Sequence, residues 1–207
     1  MIYSDRAAAG RALGSELGHL RAAQPLVLGL PRGGVPVAAA VCEVIGGDLD
    51  ILLVRKLGVP WQPELAMGAI GEDGIRVLNQ DVLSHTGITP RQVAEIEELE
   101  RAELERRREV WRGDVKPIPI AGRTAVIVDD GMATGATVVV ACRVAQLHQP
   151  VRIVVAVPVS SAEALRRVAA EADEVLCPWV PHSLGGVGTA YRDFHQLADD
   201  EVTALLV

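Results

Sequence analysis

Two adjacent carboxylates follow an apolar run in the segment Ala125-Val126-Ile127-Val128-Asp129-Asp130-Gly131-Met132-Ala133-Thr134-Gly135-Ala136-Thr137. Thr124 to Val128 reads as a buried strand, and Ala136 to Leu147 as the apolar helix that follows the loop. The first N–H groups of such a helix have no partner within it and lie at the positive end of its dipole. With the hydroxyls of Thr134 and Thr137 they form a cradle for a terminal phosphate. Gly131 and Gly135 let the backbone approach that anion without a Cβ in the way. Two carboxylates beside the cradle would repel the same anion, so they must face sugar hydroxyls, a metal ion, or both. A phosphorylated ribose meets all of these demands.

A second glycine-rich turn, Gly29-Leu30-Pro31-Arg32-Gly33-Gly34, fails two common tests. Val35 and Pro36 stand where a Walker loop needs Lys and a hydroxyl, and the middle Gly of a dinucleotide fingerprint is missing. The bare backbone at Gly33 and Gly34 offers N–H groups to an anion, beside the Arg32 guanidinium. Arg55 and Lys56 follow the apolar run Ile51 to Val54. In an open parallel sheet, ligands sit beyond the carboxyl ends of the strands. Arg32, Arg55, Lys56, Asp129 and Asp130 are all placed there, so three cations and two acids are expected to converge on one crevice. That set suits a ligand carrying pyrophosphate, ribose and phosphate; for Arg55 and Lys56 a solvated strand end is the plainer alternative. Lys56 is one of only two lysines in the chain, with Lys116.

The elements that must position these residues are legible in outline. Leu26 to Leu30, Ile51 to Val54, Thr124 to Val128, Val151 to Val157 and Glu174 to Cys177 are continuous apolar runs, as strands covered on both faces require. Helical segments at Val35 to Ile45, Ala136 to Leu147 and Ala162 to Ala170 alternate with them. Ala9, Leu13, Leu17 and Leu20 predict a helix over 5–22, capped by Ser4 or Asp5, with Gly10, Gly14 and Gly18 as a packing stripe. Between Trp61 and His85, three glycines among short β-prone pieces (Met67 to Ile70, Ile75 to Leu78) predict an inserted hairpin or flap. Thr89, Pro90 and Gln92 then open a charged helix to about Trp111, with Glu97–Arg101 and Glu103–Arg107 pairs. It reads as a solvated face and is assigned no chemistry.

Composition narrows the class. Half of the 207 residues are apolar but only 3% are aromatic, so Val, Leu, Ile and Ala must build the core. A net charge of −7 with no basic tract argues against a nucleic-acid partner. Cys42, Cys142 and Cys177 lie far apart with no metal-ligand spacing, so neither zinc nor a disulfide is expected, and a cytoplasmic location is the simplest. Met1 to Gly18 lacks the apolar stretch of a secretory signal, and the uncharged stretch Val175 to Tyr191 is broken by Pro178, Pro181 and three glycines, so no membrane association is expected. One domain, 1–207, is expected. In the C-terminal part, Trp179 offers a ring for stacking, Tyr191, Phe194 and Leu197 are expected to pin the segment back on the domain, and His182 and His195 have no carboxylate partner that the sequence places.

Residues 125–137 closely resemble the phosphoribosyl pyrophosphate (PRPP) signature of type I phosphoribosyltransferases, departing only at Gly131, where that signature has an aliphatic residue or Ser. Leu28-Gly-Leu-Pro-Arg32-Gly33-Gly34 resembles the family's pyrophosphate loop, and Leu53-Val-Arg55-Lys56-Leu-Gly-Val-Pro60 its second-strand exit. Glu64 to Gly71 resembles its catalytic flap, and Pro178 to His182 follows the last strand, where the family places a hood over the acceptor. The resemblance implies a Rossmann-like α/β fold: a central parallel sheet flanked by helices, a flap at about 61–85 and a hood at about 178–195. It further implies Mg2+ as cofactor, held by Asp129 and Asp130 through ribose hydroxyls or water. Lys56 and Glu64 would join these acids in catalysis. Arg32, Gly33, Gly34, Arg55, residues 131–137 and Trp179 would bind PRPP and a small acceptor. A homodimer is left open. Three functions are weighed: phosphoribosyl transfer to a nitrogen nucleophile; a non-catalytic sensor of PRPP or nucleotides; and, more weakly, an acid-pair phosphohydrolase.

Overall fold

The computed structural model describes residues 2–206; Met1 and Val207 lie outside them. In chain order the elements are α1 (Arg6–Glu16), β1 (Leu26–Gly29), α2 (Gly34–Ile45), β2 (Asp48–Ile51), β3 (Val54–Val59), β4 (Gln62–Gly71), β5 (Arg76–Leu78), α3 (Gln80–Thr86) and α4 (Pro90–Trp111). They continue as β6 (Thr124–Val128), α5 (Ala136–Leu147), β7 (Arg152–Ala156), α6 (Ala162–Ala169), β8 (Glu174–Leu176) and α7 (Asp199–Ala204).

Five strands form an all-parallel sheet in the order β2-β1-β6-β7-β8. Val27, Val126, Val128 and Val154 point to one face, where Leu13 of α1 and Val37 and Val41 of α2 cover them. Leu28, Ile127, Ile153 and Val155 point to the other, under Val138, Ala141 and Val144 of α5 and Ala164 of α6. Both faces being covered is why these strands read as unbroken apolar runs. Asp5 caps α1 by accepting from the Ala8 N–H at 2.7 Å. A Cβ on Gly10 would lie 2.7 Å from the Ala40 Cβ, and one on Gly14 2.7 Å from the Val44 Cβ, so these two glycines seat α1 against α2.

Three expectations need correction. The helix over 5–22 ends at Glu16, and Gly18–Ala23 forms a 3-10 turn. Leu17 and Leu20, three apart and both buried, suit that tighter winding as well as they suit an α-helix. A Cβ on Gly18 would meet nothing within 4 Å, so Gly18 is not part of the packing stripe. The second parallel strand is Asp48–Ile51 rather than Ile51 to Val54; Asp48 and Asp50 hid it from a reading based on apolar runs. Asp50 is tolerated there because Arg112 and the Ile118 N–H both donate to it at 2.8 Å.

The flap also starts earlier than the sequence predicts. Val54 starts a separate antiparallel sheet, β3-β4-β5, in which Lys56 faces Ala69 and Leu57 faces Gly68. Arg55 and Lys56 therefore lie inside β3 and not at the carboxyl end of a parallel strand. The charged helix α4 runs to Trp111 as predicted, with the Thr89–Gln92 capping box and the Glu97–Arg101 and Glu103–Arg107 pairs formed. Among the described residues no helix is long and apolar enough to cross a membrane.

Candidate functional site

β1 and β6 are neighbours with Gly29 opposite Val128, so the chain leaves both strands side by side. This places the turn 31–34 directly against Asp129 and Asp130. A Cβ on Gly33 would lie 2.5 Å from the Asp130 Cγ, and one on Gly34 would lie 2.9 Å from the Asp129 Cα. Gly33 has φ −60 and ψ −34, which any residue adopts, so it is the close approach that calls for glycine. The N–H groups of Arg32 and Gly33 donate to no acceptor among the described residues.

Asp129 Oδ1 accepts from the Asp130 N–H at 2.9 Å, and Asp130 Oδ2 accepts from Arg6 Nε at 2.9 Å. Arg6 also donates to the His195 carbonyl at 3.0 Å and lies 4.0 Å over the Phe194 ring. Phe194 stacks on Tyr191 at 5.0 Å, and the Tyr191 hydroxyl donates to the Asp130 carbonyl at 2.6 Å. Burial pushes both aspartic carboxyls above their ordinary range; the Asp130 charge pushes Asp129 further, while Arg6 pulls Asp130 back down. A cation or hydroxyl donors would offset the same burial. Arg6 is the residue that sequence reasoning missed. It stands 124 positions before its partner, and no local pattern marks it.

The loop 131–137 is pinned to the exit of β7. The Met132 N–H donates to Val159 at 2.9 Å, the Ser161 N–H to Met132 at 3.0 Å, and the Ser161 hydroxyl to Ala133 at 2.8 Å. Gly131 is required by packing: a Cβ there would lie 2.6 Å from Val187 Cγ1 and 2.8 Å from Val159 Cγ1. Gly135 takes the left-handed conformation, φ +74, at the start of α5. Ala133, Thr134 and Thr137 are exposed, and the N–H groups of Thr134, Gly135 and Thr137 donate to no acceptor among the described residues. The loop expected to cradle a phosphate thus keeps these N–H groups unengaged.

The cations do not share one crevice. A cavity of about 460 Å³ is lined by Arg55, Lys56, Glu64, Glu100 and Thr137; a second, of about 550 Å³, by Arg6, Arg32, Gly33 and Asp130. Pro31, Arg107 and Trp111 line both, so the site is a cleft of two lobes. Helix α4, expected to be a solvated face, supplies part of that wall. Lys56 Nζ lies 3.4 Å from Glu64 across the β3–β4 hairpin, and Arg55 donates to Glu100 of α4 at 2.6 Å. Arg32 donates to the Leu197 carbonyl at 3.0 Å and pairs with Asp199 at 3.1 Å. Trp179 is half-buried, bridges to Val159 and packs in the cluster with Tyr3 and Tyr191; it lines neither lobe. His195 lies 3.0 Å from both Asp193 and Glu201, so it has the two carboxylate partners that the sequence could not place.

Among the described residues no three His, Cys, Asp or Glu side chains gather as a metal cage. Asp129 Oδ2 and Asp130 Oδ1 accept no hydrogen bond among the described residues. Two hard carboxylate oxygens beside a loop with unengaged N–H groups would suit Mg2+ shared with a ligand's oxygens, because this ion keeps much of its shell from water and phosphate. The cysteines are free, and burial pushes the Cys142 thiol up to about 12 and the Cys177 thiol up to about 11, so neither supplies a thiolate.

A family model described as "Phosphoribosyl transferase domain" matches residues 3–192. "Putative phosphoribosyl transferase Rv0571c" of Mycobacterium tuberculosis is 50% identical over 205 residues, which are 99% of this chain and 46% of that protein. The chain therefore spans about half the length of that curated relative. "Bifunctional protein PyrR" of Chloroflexus aurantiacus is 33% identical over 137 residues, 61% of this chain and 65% of that one. The crystal structure of TT1426 from Thermus thermophilus superposes with a TM-score of 0.87 at 43% identity, covering 100% of this chain and 98% of that one.

Proposed function

The chain belongs to the phosphoribosyl transferase domain family, and on that premise we propose that it moves the 5-phosphoribosyl group of PRPP, as the Mg2+ complex, to a nitrogen atom of a small acceptor, most simply a nucleobase. The observation that carries this reading is the contact between the turn 31–34 and the acid pair, beside a loop whose N–H groups stand free. On this reading the turn is an anion site touching the polyol site of the acid pair, and 134–137 is a second anion site. PRPP has its charges and hydroxyls in that order.

In the reaction the C1–O bond breaks and its electron pair leaves on pyrophosphate, a C1–N bond forms, and the acceptor nitrogen loses its proton. Positive charge develops on the ribose ring in between. Asp129 Oδ2 and Asp130 Oδ1 accept from the ribose hydroxyls and place two carboxylates beside that charge. The free N–H groups of Arg32 and Gly33 meet the leaving pyrophosphate, and Arg55 and Lys56 line the adjoining lobe. Mg2+, held by Asp129 and Asp130 through hydroxyls or water, would neutralise charge on the pyrophosphate oxygens. The β3–β4 hairpin, with Glu64 at its exposed end, excludes water from the activated sugar.

The test is release of pyrophosphate from Mg-PRPP on addition of a panel of purines, pyrimidines and small amines, with calorimetry of PRPP binding alongside. Asp129→Asn or Asp130→Asn each removes a charge-assisted contact of roughly 1.5–3 kcal/mol, so binding weakens about 10- to 150-fold. Tight PRPP binding with no turnover over the whole panel leaves the sensor function in place of transfer. Wild-type affinity in both variants overturns the assignment of the acid pair.

A further inference from the structure

The guanidinium of Arg32, the one arginine of the turn 31–34, is already engaged. Its Nη1 donates to the Leu197 carbonyl at 3.0 Å, and its Nε lies 3.1 Å from Asp199 Oδ1, the oxygen that also accepts from Trp111 Nε1 at 2.8 Å. A carboxylate on a guanidinium reproduces the chemistry by which a guanidinium takes a phosphate. The pair is not sealed: the Arg32 and Asp199 side chains are 36% and 38% exposed, within reach of a ligand from solvent.

The segment that carries Asp199 is built to stay nearby while this contact changes. Leu197 and Val202 are buried beside Trp111 and Leu104, and the His195 carbonyl accepts from Arg6. His195, Gln196 and Leu197 form one wall of the lobe whose floor is Arg6, Arg32, Gly33 and Asp130. Residues 193–206 also hold four acids, Asp193, Asp199, Asp200 and Glu201, and no Lys or Arg. An anion entering this lobe therefore competes for Arg32 and repels the wall at the same time.

We propose that segment 193–206 is an internal competitor of the anion that enters the Arg32 lobe: Asp199 and the Leu197 carbonyl occupy the guanidinium, and the bound anion displaces them and loosens the segment. The proposal rests on the reading that Arg32 faces the pyrophosphate end of PRPP. It makes opening of this wall a consequence of filling the leaving-group site, and closing it an aid to expelling the product.

Inorganic pyrophosphate is the probe, titrated with and without Mg2+ against the full chain. Hydrogen exchange at 196–205 is expected to accelerate on saturation while β1 and β6 stay protected. Asp199→Asn keeps an oxygen for the Trp111 N–H but removes the charge, so it is expected to bind pyrophosphate about 2- to 5-fold more tightly, the range a partly exposed ion pair supports. That gain must vanish in an Arg32→Ala background. Saturable binding with unchanged or slower exchange at 196–205, or an Asp199→Asn variant that binds no better, overturns the competitor and leaves phosphoribosyl transfer standing. Absence of pyrophosphate binding in both wild type and Asp199→Asn overturns the anion site at Arg32 and the competitor with it.

Discussion

Gly33→Ala separates the geometry of the site from the stability of the fold. At φ −60 and ψ −34 an Ala costs nothing in backbone strain, and by narrowing the unfolded ensemble it would stabilise the chain by about 0.4–1 kcal/mol. Its Cβ, however, would lie 2.5 Å from the Asp130 Cγ. Ordinary contact begins near 3.4 Å and Asp130 Oδ2 would lie closer still than Cγ, so the carboxylate or the turn has to move by more than about 1 Å. Asp130 cannot yield freely, because Arg6 holds its Oδ2 at 2.9 Å and Tyr191 holds its carbonyl at 2.6 Å. Overpacking of this kind costs about 1–3 kcal/mol, which leaves a net loss of about 0–2.5 kcal/mol and a Tm lowered by at most about 10 °C for a chain of this size. A displacement of about 1 Å at the reacting centre is worth about 100-fold in rate. The variant is therefore expected to remain folded by circular dichroism and calorimetry while PRPP-dependent pyrophosphate release falls about 100-fold. Turnover and PRPP affinity at the wild-type level in the folded Gly33→Ala protein would refute the claim that this contact sets the position of the acid pair.

Other perturbations reach the cleft and the core behind it. Lys56→Ala should weaken PRPP and pyrophosphate by about 10-fold or more, for a charge-assisted contact of roughly 1.5–3 kcal/mol, yet leave a nucleoside monophosphate nearly unaffected; equal weakening of both in calorimetry would show that this lysine acts only through general electrostatics. Arg112 is buried between Asp50 and Glu72 with its side chain 3% exposed, and burial already pushes the Glu72 carboxyl upward against the pull of that arginine. Arg112→Ala strands two buried acids, so urea denaturation should show a loss of about 3–5 kcal/mol, and a loss under about 1 kcal/mol would mean that the network is solvated. Hydrogen bonds to Asp193 and Glu201 raise the His195 pKa above its ordinary 6.5. Its contribution to holding segment 193–206 is thus fully present below about pH 6.5 and lost as the pH rises through the raised value. Proton NMR of the His195 ring should give a midpoint above 6.5, and a midpoint at or below it would remove the two carboxylates from contact.

What the sequence determines by itself is the part built from consecutive residues. The strand β6, the acid pair, the small-residue loop and α5 form one stretch of chain, and each feature constrains its neighbour, so the pattern and the structure coincide from Thr124 to Leu147. Helix α4 is legible for the same reason, because its cap and its i,i+4 pairs are local chemistry. β2 is displaced from its expected place because a buried Asp is tolerated only by virtue of Arg112 and the Ile118 N–H, 62 and 68 positions away. β3 carries Arg55 and Lys56 in mid-strand, and only its pairing with β4 makes it a strand. Arg6 at Asp130, Asp199 at Arg32, and the division of the cleft by Pro31, Arg107 and Trp111 belong to the tertiary structure alone. Side chains that meet across more than a hundred positions leave no periodicity behind, since what selects their partners is the space the fold closes around them and the charge it buries there.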